Sequence, residues 1–397
     1  MARIRVTRTI EVPDPIRISR FRKIPELGPR LLFFSGGSAL NGLSRLLKDY
    51  THNSVHLVTP FDSGGSSAQL RQAFDMPAIG DIRSRLMALA DESVLGNPEV
   101  YQLFNFRLPC DATRKTLRRT LREMVSGRSE LVADIPNPMR QLICHQLGHF
   151  SDQMPRGFEL RGASIGNLIL AGGYLRNRRD LDLTIFLYSK LVSVRGTVRP
   201  IVNESLNLGA TLADGSEVIG QHLLTGKEVA PLTAPIEDVF LCRSAEQPEP
   251  LDVPLEKKVR KLIGSADLIC YPPGSFFSSL HANLLPTGVG RAIGANDCPK
   301  VYIPNLGVDP EQLGMSLDAL LGSLVKRLRR GVPKSWANRR LLDYVLLDSG
   351  QGQYPSTLSL SLLEELGVEV LDIKLVSKKS KPYYDNQLLL AALLSLA

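Results

Sequence analysis

Five short apolar runs along the chain predict buried β-strands. They lie at residues 31–34, 55–59, 266–271, 301–303 and 344–348. Continuous apolar runs of this length are typical of strands that are covered on both faces of a parallel sheet. Two other stretches, 192–200 and 210–220, alternate or are punctuated by glycine. They predict short strands that are only half buried.

Helical periodicity follows the first two runs, so strands and amphipathic helices alternate. This alternation predicts an α/β fold with a Rossmann-like, mostly parallel sheet and helices on both faces. The α/β domain is expected to span residues 30–397, with a helical insertion at 100–160 and a small β subdomain at 190–245. Residues 1–29 carry four prolines and are predicted to form an N-terminal arm or an edge strand.

Composition narrows the class of protein. The 397 residues are 43% hydrophobic and 22% charged, as in a globular protein. No apolar run reaches the roughly 20 residues that a membrane helix needs, and no secretory signal is recognisable. The five cysteines form no CxxC pair, which indicates a reducing compartment. We therefore expect a soluble cytoplasmic protein without a membrane partner.

The net charge of +8 favours anionic partners such as nucleotides or phosphate esters. The densest basic run places Arg114, Arg118 and Arg122 on one helical face by their i, i+4 spacing. No aromatic residues are interleaved with these arginines, as they are in single-stranded nucleic-acid binding sites. A solvated helix face is the favoured interpretation, and nucleic-acid binding stays a minor hypothesis.

Three turns rich in glycine and serine follow predicted strands. Because the carboxyl ends of parallel strands meet at one edge of the sheet, these turns are expected to lie together. Glycine lets backbone N–H groups approach a phosphate, and serine hydroxyls can donate to its oxygens. Neither GxGxxG nor GxxxxGK[ST] occurs, which excludes the standard dinucleotide and ATPase loops. The candidate phosphate-binding residues are Gly36, Gly37, Ser38, Gly64, Gly65, Ser66, Ser67, Gly274, Ser275, Ser278 and Ser279.

Three further side chains could carry chemistry. Asp62, within the second turn, could hold Mg²⁺ or accept a hydroxyl proton, or it could simply cap the following helix. Arg83 could clamp a phosphate or pair with Asp81. Asn167 could contact a ligand or cap a helix. His145 and His149 have the spacing of a metal-binding pair but no third ligand nearby, so a structural pair is favoured.

Five motifs occur in order along the chain: the first glycine turn, "TPFDSGGSSAQLR" at 59–71, "MPAIGDIRSRLMALAD" at 76–91, "GASIGNLIL" at 162–170 and "ADLICYPPGSFFSSLHANLL" at 266–285. Together they resemble the CofD/YvcK family, which includes 2-phospho-L-lactate transferase and the gluconeogenesis factor YvcK. The likeness begins near residue 30 and extends to the end of the chain, and the branch it resembles most is the CofD-like proteins of the bacterial GAK system.

The resemblance implies a nucleotide diphosphate at the glycine turns and a homodimer. The transferase moves a phospholactyl group from a guanosine diphosphate conjugate to a deazaflavin hydroxyl with a divalent metal, whereas YvcK-type members bind UDP-sugars and act in regulation. By motif match, Asp62 corresponds to the first of two adjacent acids. The residues that correspond to the nucleotide turns are Gly274, Ser275, Ser278, Ser279, Asn283 and Asn305.

Departures from the family pattern keep two hypotheses open. Ser63 replaces the second acid, which weakens a paired-carboxylate metal site. One hypothesis is a transferase of phosphoryl-linked groups that uses Asp62 with Mg²⁺. The other is a regulatory protein that binds a nucleotide-sugar without catalysis. Four further positions depart from the pattern: Ala39, Ala163, Pro272 and Phe277.

Overall fold

The centre of the fold is a seven-stranded parallel sheet with the order β10-β9-β8-β7-β1-β2-β3. A computed structural model describes residues 9–93, 96–226, 231–307 and 309–397. The predicted mostly parallel α/β architecture is confirmed. The strands of this sheet are β1 (Leu31–Ser35), β2 (Val55–Val58), β3 (Thr197–Pro200), β7 (Leu268–Tyr271), β8 (Lys300–Tyr302), β9 (Tyr344–Leu347) and β10 (Glu369–Asp372).

The central strand β1 shows why continuous apolar runs form this sheet. All five of its residues are buried. Leu32 and Phe34 pack into the core on one face of the sheet, whereas Leu31 and Phe33 pack into the core on the other. Since both faces of the strand are covered, no position along it needs a polar side chain.

A second, antiparallel sheet has the order β5-β4-β6 and shares a core with the main sheet. Its strands are β4 (Asn207–Leu212), β5 (Glu217–Ile219) and β6 (Ile236–Cys242). This is the small β element that the sequence predicts, with one correction. Residues 197–200 form β3, which pairs in parallel with β2 and lies at the edge of the main sheet. Partly buried and buried residues alternate along β3 because this edge strand of the parallel sheet is fully covered on one face only.

The helices of the described residues surround the two sheets. Four of them, α5 to α8, lie in the predicted helical insertion. Helix α8 packs against α6 and α9 in a core that also includes Val58 of β2 and Val198 of β3. The helices are α1 (Pro15–Lys23), α2 (Asn41–Leu47), α3 (Gly65–Phe74), α4 (Gly80–Ala88), α5 (Pro98–Asn105), α6 (Arg114–Val125), α7 (Glu130–Ala133), α8 (Met139–Gln153), α9 (Ile165–Arg176), α10 (Leu181–Leu191), α11 (Gln221–Leu224), α12 (Lys257–Gly264), α13 (Val289–Gly294), α14 (Leu317–Leu328), α15 (Leu360–Leu366) and α16 (Asn386–Leu396).

The N-terminal arm contains a helix where the sequence suggested an edge strand. Asp14 caps α1 by accepting from the Arg17 backbone N–H at 3.0 Å, and Pro15 occupies the first helical position. Proline is favoured there because the N–H that it lacks would have no intrahelical partner. The helix packs against α16. The alternating residues at 3–6 lie outside the described part of the chain.

Candidate functional site

The candidate site lies at the carboxyl ends of β1, β2 and β7. Strands β2 and β3 lie on one side of β1, and β7 to β10 lie on the other. The direction of the crossovers therefore reverses at β1, which is where α/β sheets usually bind ligands. A cleft of about 120 Å³ opens there between the segments 35–40 and 272–275, with Ser279 and Leu280 completing its wall.

The first glycine turn follows β1 and is shaped by close contacts. A Cβ on Gly36 would lie 2.5 Å from Ser279 Oγ, so only glycine fits without a shift. The Gly37 N–H donates to Asp81 Oδ2 at 2.8 Å. Ser38 is exposed at the mouth of the cleft. The turn therefore presents its outer end to a ligand, while Asp81 holds its middle.

Arg85, which the sequence analysis did not single out, supports the first turn from below. Its side chain is 1% exposed. Its guanidinium donates to Ser44 Oγ at 2.6 Å and reaches the carbonyl oxygens of Gly36 and Gly37 at 3.4 and 3.3 Å. Burial lowers the pKa of Arg85 to about 10, against the opposing charge of Asp81. The guanidinium therefore remains charged at neutral pH.

The second turn connects β2 to α3 and contains Asp62. The Asp62 Oδ1 atom accepts from the Gly64 N–H at 3.0 Å. Gly64 precedes α3 and offers no capping side chain, while Gly65 begins the helix with a φ of +47°. Asp62 thus orders the turn, but it does not cap the helix itself.

Asn167 and Arg83 approach this turn from α9 and α4. The Asn167 side chain is 2% exposed, and its amide nitrogen donates to Ser66 Oγ at 3.3 Å. Ser67 is buried, and it lies so close to Gly80 that a Cβ added to Gly80 would be 2.7 Å from Ser67 Oγ. Arg83 donates to the Phe104 carbonyl at 3.4 Å, and burial lowers its pKa. Its contact with Phe104 ties α4 to the helical insertion.

The small antiparallel sheet also contributes to the second turn. Ser63 Oγ lies 2.8 Å from His222 Nδ1 and accepts from the His222 backbone N–H at 3.3 Å. Arg71 lies beneath the turn and donates to the carbonyl oxygens of Phe61 and Asp62, both at 3.3 Å, and to that of Leu206 at 2.7 Å. Sequence reasoning gave no role to His222, which lies in none of the quoted motifs, or to Arg71, which ends the motif at 59–71 but whose partners there are backbone carbonyl groups.

The third turn follows β7 and is held by the segment after β8. The Gly274 N–H donates to Asn305 Oδ1 at 2.7 Å, and Asn305 Nδ2 donates back to the Gly274 carbonyl at 2.6 Å. Gly274 has a φ of +147°, which side-chain-bearing residues rarely adopt. Ser275 lines the cleft. Asn305 thus fixes the turn through two hydrogen bonds to the Gly274 backbone.

The π-helical turn Phe276–His281 comes next in the chain, and two of its first N–H groups meet the buried side chain of Glu311, which lies in the segment Pro310–Gln312. Glu311 accepts from the N–H groups of Phe277 and Ser278, each at 2.8 Å, and from the Ser278 hydroxyl. Burial, aided by the charge of Asp309, raises the pKa of Glu311 to about 7, and these three donors oppose the shift. Both polar groups of Ser278 are therefore engaged within the protein.

Asn283 joins the first and third turns. Its amide nitrogen donates to the carbonyl oxygens of Ser35 and Ser279, each at 2.9 Å.

The side chain of His281, two residues before Asn283, is buried, and neither of its ring nitrogens has a partner among the described residues. Burial, with Arg327 and Arg330 nearby, lowers the pKa of His281 well below 6.5, so this imidazole is neutral.

The three predicted turns thus lie at neighbouring strand ends, but only some of their residues line the cleft, and the others form contacts within the protein. Those at the cleft are Gly36, Gly37, Ser38, Gly274, Ser275 and Ser279. Ser278, Asn283 and Asn305 form internal hydrogen bonds, and Arg83 and Asn167 support neighbouring elements. Of the family departures, Ala39 and Pro272 line the cleft, whereas Ala163 and Phe277 are buried.

The remaining sequence features lie elsewhere. His145 and His149 are on α8, and the described residues contain no cluster of three or more His, Cys, Asp or Glu side chains that could hold a metal. On α6, Arg118 donates to the Arg156 carbonyl at 2.9 Å. None of the described helices is long and apolar enough to cross a membrane.

The second turn nevertheless offers a carboxylate that suits Mg²⁺ when the cation is bound together with a phosphorylated ligand. Mg²⁺ is commonly bound by one or two carboxylates together with substrate phosphates and water. Asp62 would supply the carboxylate, since Gly64 engages only its Oδ1 atom within hydrogen-bonding distance. The residues therefore fit a cation that arrives with a phosphorylated ligand.

Relatives with known names match most of the chain. A gluconeogenesis factor from Bacillus subtilis is 28% identical over 359 residues, which cover 89% of this chain and 92% of that protein. A gluconeogenesis factor from Halalkalibacterium halodurans is 31% identical over 70% of this chain and 66% of that one. The chain spans only 55% of a putative gluconeogenesis factor from Nostoc, which is 28% identical.

A solved structure has a similar fold. The crystal structure of a UPF0052 family member from Bacillus halodurans superposes with a TM-score of 0.67 at 25% identity, covering 93% of this chain and 99% of that one. The family model described as 2-phospho-L-lactate transferase CofD matches residues 31–376. These residues contain all three glycine turns, Asp62 and Glu311. The chain belongs to the CofD family.

Proposed function

We propose that this protein binds a nucleotide diphosphate conjugate at the cleft and transfers a phosphoryl-linked group from it to an acceptor hydroxyl. The observation that carries the proposal is the position of the cleft. It lies where the crossovers reverse at β1, between two glycine turns, and Asp62 lies in the turn after the neighbouring strand β2. Backbone N–H groups and a single carboxylate are a combination suited to phosphoryl transfer.

The proposed step balances as follows. The acceptor oxygen attacks the distal phosphorus of the conjugate and forms the new P–O bond. The bond from that phosphorus to the bridging oxygen breaks, and a nucleoside monophosphate leaves. The acceptor proton passes to Asp62, whose backbone is fixed by Arg71. In the alternative in which Mg²⁺ is bound, Asp62 would hold the cation, the cation would neutralise charge on the phosphates, and the acceptor proton would pass to water.

Calorimetric titration tests the binding half of the proposal. GDP, UDP, UDP-N-acetylglucosamine and ADP are titrated with and without Mg²⁺. Binding of at least one diphosphate is expected, and tighter binding with Mg²⁺ favours a transferase. Asp62→Asn should keep the nucleotide affinity measured without Mg²⁺ within about threefold but abolish turnover, since an amide neither takes up the acceptor proton nor holds Mg²⁺ as a carboxylate does. Absence of binding by all four ligands contradicts the proposal.

A regulatory protein that binds a nucleotide-sugar is the second candidate. It is favoured by Ser63, which stands where the resemblance implies a second acid and whose hydroxyl is engaged by His222. In this alternative, Asp62→Asn leaves every measured response unchanged and UDP-sugars bind without Mg²⁺. The homodimer and the link to GAK systems stay predictions; sedimentation velocity of the purified chain tests the dimer.

A further inference from the structure

Backbone N–H groups are unevenly available among the three turns. In the first turn, Asp81 already accepts from the Gly37 N–H. After the third turn, Asp309 accepts from the Phe276 N–H at 3.3 Å, and Glu311 accepts from the next two. Carboxylates at such positions take the place that a bound phosphate would occupy.

The second turn is different. Helix α3 is ten residues long, has no acidic residue in its first turn, and its N-cap Gly64 provides no side-chain hydrogen bond. The first N–H groups of a helix have no intrahelical partners. Asp62 accepts from Gly64, which precedes the helix. Within the described residues, the N–H groups of Gly65, Ser66 and Ser67 therefore have no side-chain cap.

A separate observation marks the same place as a ligand site. The amide of Asn167 is buried against the first turn of α3, where its nitrogen donates to Ser66 Oγ. Its Oδ1 atom is buried without a partner among the described residues. A buried amide oxygen left without a partner lowers the stability of the folded protein. Because this atom is a hydrogen-bond acceptor, its partner would be a donor that arrives with the ligand, such as water bound to Mg²⁺, while the Ser66 hydroxyl and the helix N–H groups would face the phosphate oxygens.

We propose that the diphosphate binds at the N-terminus of α3, beside Ser66 and Asn167. The third turn, already filled by Asp309 and Glu311, then contacts only the uncharged part of the ligand. This inference rests on the proposed function. The Asp309 carboxylate, together with Glu311 whenever that group is ionised, disfavours a further anion at the third turn, whereas the end of α3 carries about half a positive charge.

Two matched serine variants test this division. Ser66→Ala and Ser275→Ala each remove one hydroxyl, from the second and the third turn. Inorganic pyrophosphate and UDP, both with Mg²⁺, are the probes in calorimetry. Ser66→Ala should weaken both probes about fivefold, the cost of one lost hydrogen bond. Ser275→Ala should leave pyrophosphate within about twofold of the wild-type affinity.

Asn167→Asp provides a second measurement, because it places a negative charge at the same helix end with little change in shape. It should weaken pyrophosphate at least about tenfold, and thermal unfolding would show that the variant is folded. If Ser275→Ala weakens pyrophosphate as much as Ser66→Ala, the inference is wrong while the proposed function stands. If the wild type binds neither probe nor GDP, the proposed function fails and the inference fails with it.

Discussion

The Ser63 hydroxyl lies 2.8 Å from His222 Nδ1, which joins the second glycine turn to the helix that follows strand β5. The partners are 159 positions apart in the sequence. This contact places the antiparallel sheet beside Asp62. It also occupies the side chain that stands where the family resemblance implies an acid.

Ser63→Asp should strengthen the dependence of ligand binding on Mg²⁺. The new carboxylate would lie next to Asp62, and two carboxylates with substrate phosphates are a common Mg²⁺ site. We expect Mg²⁺ to raise the affinity for a nucleoside diphosphate about tenfold more in this variant than in the wild type. Ser63→Asn, which has the same shape without the charge, is the control in calorimetry. Equal Mg²⁺ effects in both variants would contradict the prediction.

Gly36→Ala should distort the cleft. The added Cβ would meet Ser279 Oγ at 2.5 Å and Thr59 Oγ1 at 3.0 Å, so the first and third turns must separate. We expect a loss of about 1–3 kcal/mol in the free energy of unfolding, as is typical of overpacking, together with weaker nucleotide binding. Adding Ser279→Ala should restore part of both, measured by denaturant unfolding and calorimetry. A double variant no better than Gly36→Ala alone would show that this contact is not the cause.

Arg85→Met should destabilise the first turn. It leaves the Ser44 hydroxyl and the carbonyl oxygens of Gly36 and Gly37 without their buried donor. We expect a loss of about 2–4 kcal/mol in the free energy of unfolding. Arg85→Lys, which keeps the charge but not the planar fork, should lose less. Chemical denaturation measures both, and similar stability of Arg85→Met and wild type would refute the supporting role.

Glu311 should make stability depend on pH. Its pKa is raised from 4.5 to about 7 in the folded protein, so the folded state keeps a proton that the unfolded state has released. Its contribution to the free energy of unfolding therefore falls as pH rises between these values and is constant above them. Glu311→Gln cannot titrate and should lack this slope. Urea unfolding between pH 4.5 and 8 measures it; parallel curves for the two proteins would contradict the prediction.

Local patterns in the sequence were sufficient to predict five strands of the main sheet, the three turns and the parallel architecture, because buried strands and glycine turns are encoded by neighbouring residues. They misplaced β3, whose alternation resembles that of an antiparallel strand. They also could not reveal that Asn305 and Glu311 hold the third turn, or that His222 meets Ser63. These pairings depend on side chains brought together from distant parts of the chain, and no spacing rule describes them.

The packing of α16 bears on the order in which the site can form during synthesis. This helix lies against α2, which follows the first turn, and so closely that a Cβ on Gly42 would be 2.6 Å from Asn386 Nδ2. Its Ser395 hydroxyl also accepts from the Asp14 N–H at 2.7 Å. A ribosome makes α2 early and α16 last of the described elements. The first turn therefore acquires its final support late, and nascent chains should become competent to bind ligand only after α16 has emerged.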